Sequence, residues 1–284
     1  FEQKELPFIP VFNYADMSEP EGYNKQIMER YSGVTVSAKT GYGIETLKKR
    51  MAELLTPAAA PSPLLKGLIH AGDTVLLVTP IDNAAPAGRL IMPQTQTLRE
   101  VLDSHAIALT VQTEELPAAL NALKTPPALV ITDSQAIKAV AALTPANIPL
   151  TTFSMLLAKN KGDFNRMLAG AQAIDELKDG DKVLIAEGCS HRMTCDDIGR
   201  VKIPNLIKKH TGKELAFEFT AGHDFPADLS PYALVIHCGG CVLNRAEIRR
   251  RLEQCTSQNI KVTNYGMAIS HTQKTLTRTA APLL

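Results

Sequence analysis

Residues 182–191 read KVLIAEGCSH and residues 233–241 read ALVIHCGGC. Each is a short apolar run that ends in metal-ligand residues: Cys189 and His191 after the first, His237, Cys238 and Cys241 after the second. Apolar runs with no period of two are strands covered on both faces, the kind found in parallel sheets flanked by helices. Loops that follow the carboxyl ends of such strands share one edge of the sheet, where ligands bind. The two stretches therefore predict an α/β unit that brings distant cysteines to one crevice.

Outward from these runs, Leu215–Phe219 and Lys261–Thr263 read as further strands, and Ile203–His210 and Arg245–Cys255 as helices. The last strand leads into Asn264-Tyr265-Gly266 at the same edge of the crevice. This unit begins after Lys159-Asn160-Lys161-Gly162 and spans 162–284. Before it, Thr74–Val78, Ile107–Val111, Leu129–Thr132 and Leu150–Phe153 read as strands, with helices at Thr97–Asp103, Leu116–Leu123 and Gln135–Leu143 between them. The alternation predicts a second α/β unit over 64–161, again with a largely parallel sheet. No internal sequence repeat stands out. Three prolines between Thr56 and Pro63 mark an extended linker over 57–63. The segment 1–56 offers two strands, Phe8–Phe12 and Val34–Val36, and an amphipathic helix Glu45–Leu55 with Leu47, Met51, Leu54 and Leu55 on one face. That is too little for an independent core, and it reads as the tail end of a domain whose beginning is missing.

Composition narrows the function classes. With 45% hydrophobic and 21% charged residues the chain reads as globular, and a formal net charge of +1 offers no bulk attraction for nucleic acid or an anionic membrane. Tryptophan is absent and aromatic residues make up 5% of the chain, which disfavours base-stacking platforms. No apolar run reaches the length of a membrane span, and no signal-peptide pattern opens the chain. Five cysteines suit a reducing, cytoplasmic setting with metal or redox use better than a disulfide framework.

The cysteine loop suits metal binding. Cys238 and Cys241 flank two glycines just ahead of a helix, so the backbone can curl close to a ligand and the positive helix end favours thiolate. C-x-x-C alone fits a redox pair or half of a zinc site. Together with Cys189-Ser190-His191 it predicts a metal centre, either zinc closed by three cysteines and a histidine or an iron–sulfur cluster on three cysteines. A thiol–disulfide enzyme would not need the second strand end. Cys195 is a weaker ligand candidate, and Cys255, at the end of a predicted helix, reads as a small buried hydrophobe.

Larger stretches carry a resemblance. C-x-H, a long spacer and H-C-x-x-C resemble the signature of the HydF family, GTPases that mature FeFe-hydrogenases. GDTVLLVTPIDNAAPAGRLIMPQTQTLREVLD (72–103) resembles the start of that family's dimerisation domain, and DGDKVLIAEGCSH, DDIGRVKIP, YALVIHCGGCVLNR and VTNYGMAIS resemble its cluster-binding domain. The resemblance implies a 4Fe–4S cluster on Cys189, Cys238 and Cys241, with His191 or His237 as candidates for a fourth, exchangeable ligand. It also implies a homodimer or higher oligomer, a transient diiron precursor loaded by radical-SAM maturation enzymes, and delivery to apo-FeFe-hydrogenase. GTP and Mg²⁺ belong to the full-length protein. Ser37-Ala38-Lys39 resembles the base-contacting S-A-K loop, and Asn13-Tyr14-Ala15-Asp16 stands where the family has N-K-x-D, with Tyr14 in place of the lysine. No G-x-x-x-x-G-K-[ST] occurs in this chain, so it is not expected to hydrolyse GTP alone. The basic run Arg245, Arg249, Arg250 and Arg251 reads as a solvated helix face, or as a source of one arginine that attracts an anionic precursor.

Overall fold

In the computed structural model, residues 7–54, 63–81, 88–188, 197–222 and 224–284 are described. The chain divides into two compact units, 1–61 and 62–284.

In the first unit, β1 (Val11–Phe12) and α1 (Gly22–Arg30) precede β2 (Val34–Thr35), and α2 (Ile44–Leu54) follows. The two strands pair in parallel, Val11 opposite Val34. They are shorter than the runs predicted at Phe8–Phe12 and Val34–Val36. Helix α2 buries no residue of its own: Leu47 is half-buried, while Met51 is 50% exposed. Its apolar face thus finds little cover within the described residues, and Leu55 lies outside them.

The second unit holds two four-stranded parallel sheets. The first is built from β3 (Thr74–Val78), β4 (Ile107–Val111), β5 (Leu129–Thr132) and β6 (Leu150–Thr152). Helices α3 (Met92–Asp103), α4 (Leu116–Ala122) and α5 (Ile137–Leu143) connect them. Helices α6 (Phe153–Lys161) and α7 (Phe164–Gln172) then lead to the second sheet, formed by β7 (Lys182–Ala186), β8 (Ala216–Thr220), β9 (Leu234–His237) and β10 (Lys261–Asn264). A π-helical turn (Ile198–Lys202) runs into α8 (Ile203–Thr211). Helix α9 (Arg245–Ser257) joins β9 to β10, and α10 (Tyr265–Thr272) and α11 (Leu276–Ala280) close the chain. The sheet orders are β4-β3-β5-β6 and β10-β9-β7-β8. In both, the first strand in sequence is central, the second flanks one side, and the third and fourth lie on the other. The sheets are topological copies of each other, a repeat invisible in the sequence because buried apolar residues interchange freely.

Inner strands are buried along nearly their whole length, as runs without a period of two demand. Val75 and Leu77 of β3 join Leu184 and Ala186 of β7 in one apolar cluster, while Leu76 and Val78 join Val183 and Ile185 in the other. Both clusters draw on both sheets, so a common core crosses the stretch 159–162 that read as a break. Lys159 to Lys161 are the last turn of α6, and Gly162 caps it. Helix α6 escaped the sequence reading because five of its residues, Phe153, Met155, Leu156, Leu157 and Ala158, are buried. So wide an apolar face, broken only by the polar last turn, leaves no clear 3.6-residue period. Strand β6 passes directly into it, with the Thr152 hydroxyl accepting the Met155 amide N–H at 3.2 Å as an N-cap. Strand β10 turns into α10 in the same way, through the Asn264 side chain and the Met267 N–H at 2.9 Å. The edge strands β4 and β8 are the partly exposed ones.

Candidate metal centre

The second sheet's strand order reverses between β7 and β9, which makes their carboxyl ends the topological switch point where α/β sheets bind ligands. Registers place Ala186, His237 and Asn264 side by side across β7, β9 and β10. The Cys238 N–H continues the ladder to the Ala186 carbonyl at 2.9 Å. Cys238 thus leaves the sheet at the point where Glu187 and Gly188 lead towards Cys189. Cys189, His191 and Cys195 themselves lie outside the described residues.

Cys238, Cys241 and Cys255 form no disulfide with one another. The Cys238 sulfur accepts two backbone N–H groups, from Gly188 at 2.9 Å and from Gly240 at 3.4 Å. Such donors favour thiolate over thiol and are the contacts that tune a metal-bound sulfur. Both glycines are needed for the geometry. Gly240 has φ +63°, which L side chains rarely adopt, and a Cβ on Gly188 would come within 2.9 Å of Leu243 and 3.3 Å of the Cys238 sulfur. Cys255, by contrast, is fully buried in α9, and burial pushes its thiol up to about 12.

Helix α6 of the preceding half props the cysteine loop. Ser154, Leu157 and Lys161 share one face of this helix at helical spacing, and a Cβ on Gly239 would touch Ser154 and Leu157. The Lys161 ammonium donates to the carbonyls of Gly240 at 2.8 Å, Cys241 at 3.1 Å and Leu243 at 2.9 Å. Burial pulls its pKa below the ordinary value, while the Cys241 and Cys238 thiols work in the opposite direction. Three carbonyls and a cation therefore pin the C-x-x-C turn from beneath. Sequence reasoning missed this lysine because it sits in the stretch read as a boundary.

His237 is 2% exposed, and both of its ring nitrogens are engaged. The Arg251 guanidinium lies 3.0 Å from Nε2 and the Cys238 carbonyl 2.8 Å from Nδ1. A guanidinium can only donate, so Nε2 accepts and the proton sits on Nδ1, which donates to the Cys238 carbonyl. Burial, with Arg251 adding to it, pulls the ring down to about 4 and keeps it neutral. In this arrangement neither ring nitrogen is free to take iron or zinc.

The arginine run resolves into different roles. Arg245 and Arg249 are exposed, as a solvated face predicts. Arg250 pairs with Glu247 at 2.8 Å. Arg251 does not face solvent. It is 2% exposed, bound to Glu247 at 2.8 Å, His237 at 3.0 Å and the Gly222 carbonyl at 2.6 Å, and it lies over the Phe225 ring. Two other buried groups flank the crevice. Glu187, 3% exposed, receives Arg200 at 3.3 Å on Oε2, but its Oε1 and the Tyr265 hydroxyl have no hydrogen-bond partner among the described residues. Both sit against Gly199, where a Cβ would overlap the Tyr265 hydroxyl and come within 2.9 Å of Glu187 Oε1. Their signal in the sequence was position: Glu187 just precedes the C-x-H motif and Tyr265 follows the neighbouring strand.

In the first unit, the parallel strands bring the two nucleotide-loop candidates together. The Ser37 hydroxyl donates to Asp16 at 2.7 Å, and the Ala38 N–H donates to the Asn13 side-chain oxygen at 3.2 Å. Ser37 is fully buried, Lys39 is exposed, and Tyr14 is 64% exposed with φ +66°.

Residues 64–162 match the family model of the Hydrogen maturase F dimerization domain, and residues 165–282 match that of the Hydrogen maturase F tetramerization domain. No curated protein matches this chain. A solved NtrC family transcriptional regulator from Clostridium acetobutylicum aligns over 74% of this chain and 98% of its own at 10% identity, with a TM-score of 0.23. The two family models adjoin and together take in most of the chain, both as assembly domains of one maturation protein. The chain forms oligomers, serves hydrogenase maturation and belongs to the hydrogen maturase F family.

Proposed function

We propose that this chain is a scaffold in FeFe-hydrogenase maturation that holds a 4Fe–4S cluster on Cys189, Cys238 and Cys241. The observation that carries the reading is the Cys238 sulfur, which sits at the switch point of a parallel sheet and receives the N–H groups of Gly188 and Gly240. That donor set suits a thiolate ligand, and the oxygens of Glu187 and Tyr265, unpartnered among the described residues, suit a crevice shaped for a polar or charged guest. When bound on three thiolates, such a cluster supplies one iron with an exchangeable fourth position, onto which a diiron precursor can dock. The protein's own residues do the rest. Lys161 and Arg251 fix the loop, and His237 orients the Cys238 carbonyl. His191 is then the motif histidine left to approach the exchangeable position.

In this reading, radical-SAM enzymes supply the precursor and apo-FeFe-hydrogenase receives it, in a reducing cytoplasm that keeps the cysteines available as ligands. The paired Asn13–Ala38 and Asp16–Ser37 contacts support a guanine-reading loop that acts with GTP and Mg²⁺ in a full-length protein. The test is anaerobic purification, with iron, sulfide and zinc measured together with the electron paramagnetic resonance of the reduced protein. About four irons and four sulfides per chain, with a signal that shifts on adding imidazole, are expected. A colourless protein with zinc held on the cysteines in a sulfur shell would overturn the reading.

A further inference from the structure

Asp175, His210 and His271 converge on a point that the cysteine loop does not use. Asp175 lies in the short turn Ala173–Glu176 between α7 and β7, His210 in the last turn of α8, and His271 in the last turn of α10. His210 Nε2 lies 2.6 Å from Asp175 Oδ1, and His271 Nε2 lies 3.0 Å from the same oxygen. The three ligand atoms are all within 4.8 Å of one another. The imidazole rings are tilted by 60° with centroids 5.3 Å apart, so they do not stack but aim their Nε2 atoms at one place. His271 is at the far end of α10 from Tyr265, about 9 Å along the helix axis, which separates this cluster from the thiol site.

We propose that these three residues form a second metal site, for a borderline divalent ion of the zinc class. Two imidazoles and one carboxylate are the donors such ions prefer over magnesium or calcium, which take oxygen. The local field also favours a cation. Both histidines stand in the final turns of their helices, where unpaired carbonyls carry partial negative charge. The geometry is close to that needed: tetrahedral ligands about 2.0–2.1 Å from zinc lie roughly 3.3 Å apart, so each Nε2–Oδ1 separation must open by well under 1 Å. When Nε2 ligates, the imidazole proton moves to Nδ1 and no ring need be charged. The histidines are largely buried, at 20% and 15% exposure, and Asp175 is 57% exposed. The site is thus held by the protein on one side and open to water on the other, with three protein ligands and a free position. Bound metal would tie the ends of α8 and α10 to the turn that feeds β7.

The rival is a simple hydrogen-bonded clasp in which two neutral imidazoles donate to Asp175. Zinc titration against a chromophoric chelator, combined with zinc-edge X-ray absorption on the anaerobic full chain, separates the two. A site of this composition gives a shell of nitrogen and oxygen at about 2.0–2.1 Å, whereas zinc on the cysteines gives sulfur at about 2.3 Å. One zinc per chain in the nitrogen/oxygen shell is expected, together with a zinc-dependent rise in melting temperature. His210→Gln and His271→Gln should each weaken that zinc on the order of 100-fold or more, and the exposed Asp175→Asn, which leaves packing intact, on the order of 10-fold. Zinc found only in a sulfur shell would overturn the proposal. So would nitrogen/oxygen zinc of unchanged affinity in Asp175→Asn and the two histidine variants, or no uptake at about 100 µM metal.

Discussion

Replacing Arg251 with methionine tests whether the cysteine loop is held from behind. The guanidinium is 2% exposed and donates to Glu247 at 2.8 Å, His237 at 3.0 Å and the Gly222 carbonyl at 2.6 Å. Methionine keeps most of the volume and all of the hydrophobic stem but none of the donors. Glu247 keeps its bonds to Arg250, so no isolated buried charge results and the full cost of breaking a buried ion pair, about 3–5 kcal/mol, is not reached. The His237 Nε2 and the Gly222 carbonyl do lose their partner, each at about 1–2 kcal/mol for a buried group, and the contact over Phe225 adds about 0.5–1 kcal/mol. Against this stands the relieved desolvation of the guanidinium. The net expectation is a loss of about 3 kcal/mol, read as a lower denaturant midpoint with an unchanged slope. Because His237 also holds the Cys238 carbonyl, the variant should retain less iron under native conditions, where the chain remains folded. Arg251→Lys can reach only one of the three partners and should recover less than half of the loss. A variant within about 0.5 kcal/mol of the wild type, with full iron content, would refute the idea that this network supports the loop.

Four further outcomes follow. Cys189→Ala, Cys238→Ala and Cys241→Ala should each abolish stable cluster binding, and full iron and sulfide in any one of them removes that residue from the ligand set. Isothermal calorimetry should show guanine-nucleotide affinity weaker than micromolar, because the chain brings Asn13, Asp16 and Ser37 together yet contains no phosphate-gripping P-loop motif. Strand β4 is an edge of the first sheet with Ile107 59% exposed, so Ile107→Lys should shift sedimentation to a smaller assembly; an unchanged oligomer rules out that edge. Hydrogen bonds from Arg250, with Arg251 adding to them, hold the Glu247 carboxyl down at about 2, below its ordinary 4.5. The stability this contributes is complete above pH 4.5 and lost as pH falls towards 2, and Glu247→Gln should flatten that acid limb in a pH series of melts.

Much of the fold was written locally. Thr74–Val78, Ile107–Val111, Leu129–Thr132 and Lys182–Ala186 are strands over the residues their apolar runs mark; β6 and β10 differ by a residue at one end, and β8 and β9 are shifted by one residue. Desolvating both faces of a parallel strand demands an unbroken apolar run, and that demand is visible without any partner. The chemistry at the strand ends was equally local, since glycines beside cysteines mark a tight turn around a ligand wherever the turn sits. What tertiary structure decided were the relations between distant segments. Lys161 reads as part of a hydrophilic break until its largely buried helix delivers it to carbonyls at 240, 241 and 243. Arg251 reads as one more charge on a basic helix until its neighbours remove it from water and hand it His237. Asp175, His210 and His271 share no motif at all, because their meeting depends on where two helices and a turn end in space. Burial periodicity is a property of a segment and its solvent, so it survives in one dimension. A hydrogen bond across 80 residues is a property of packing, and only the folded chain contains it.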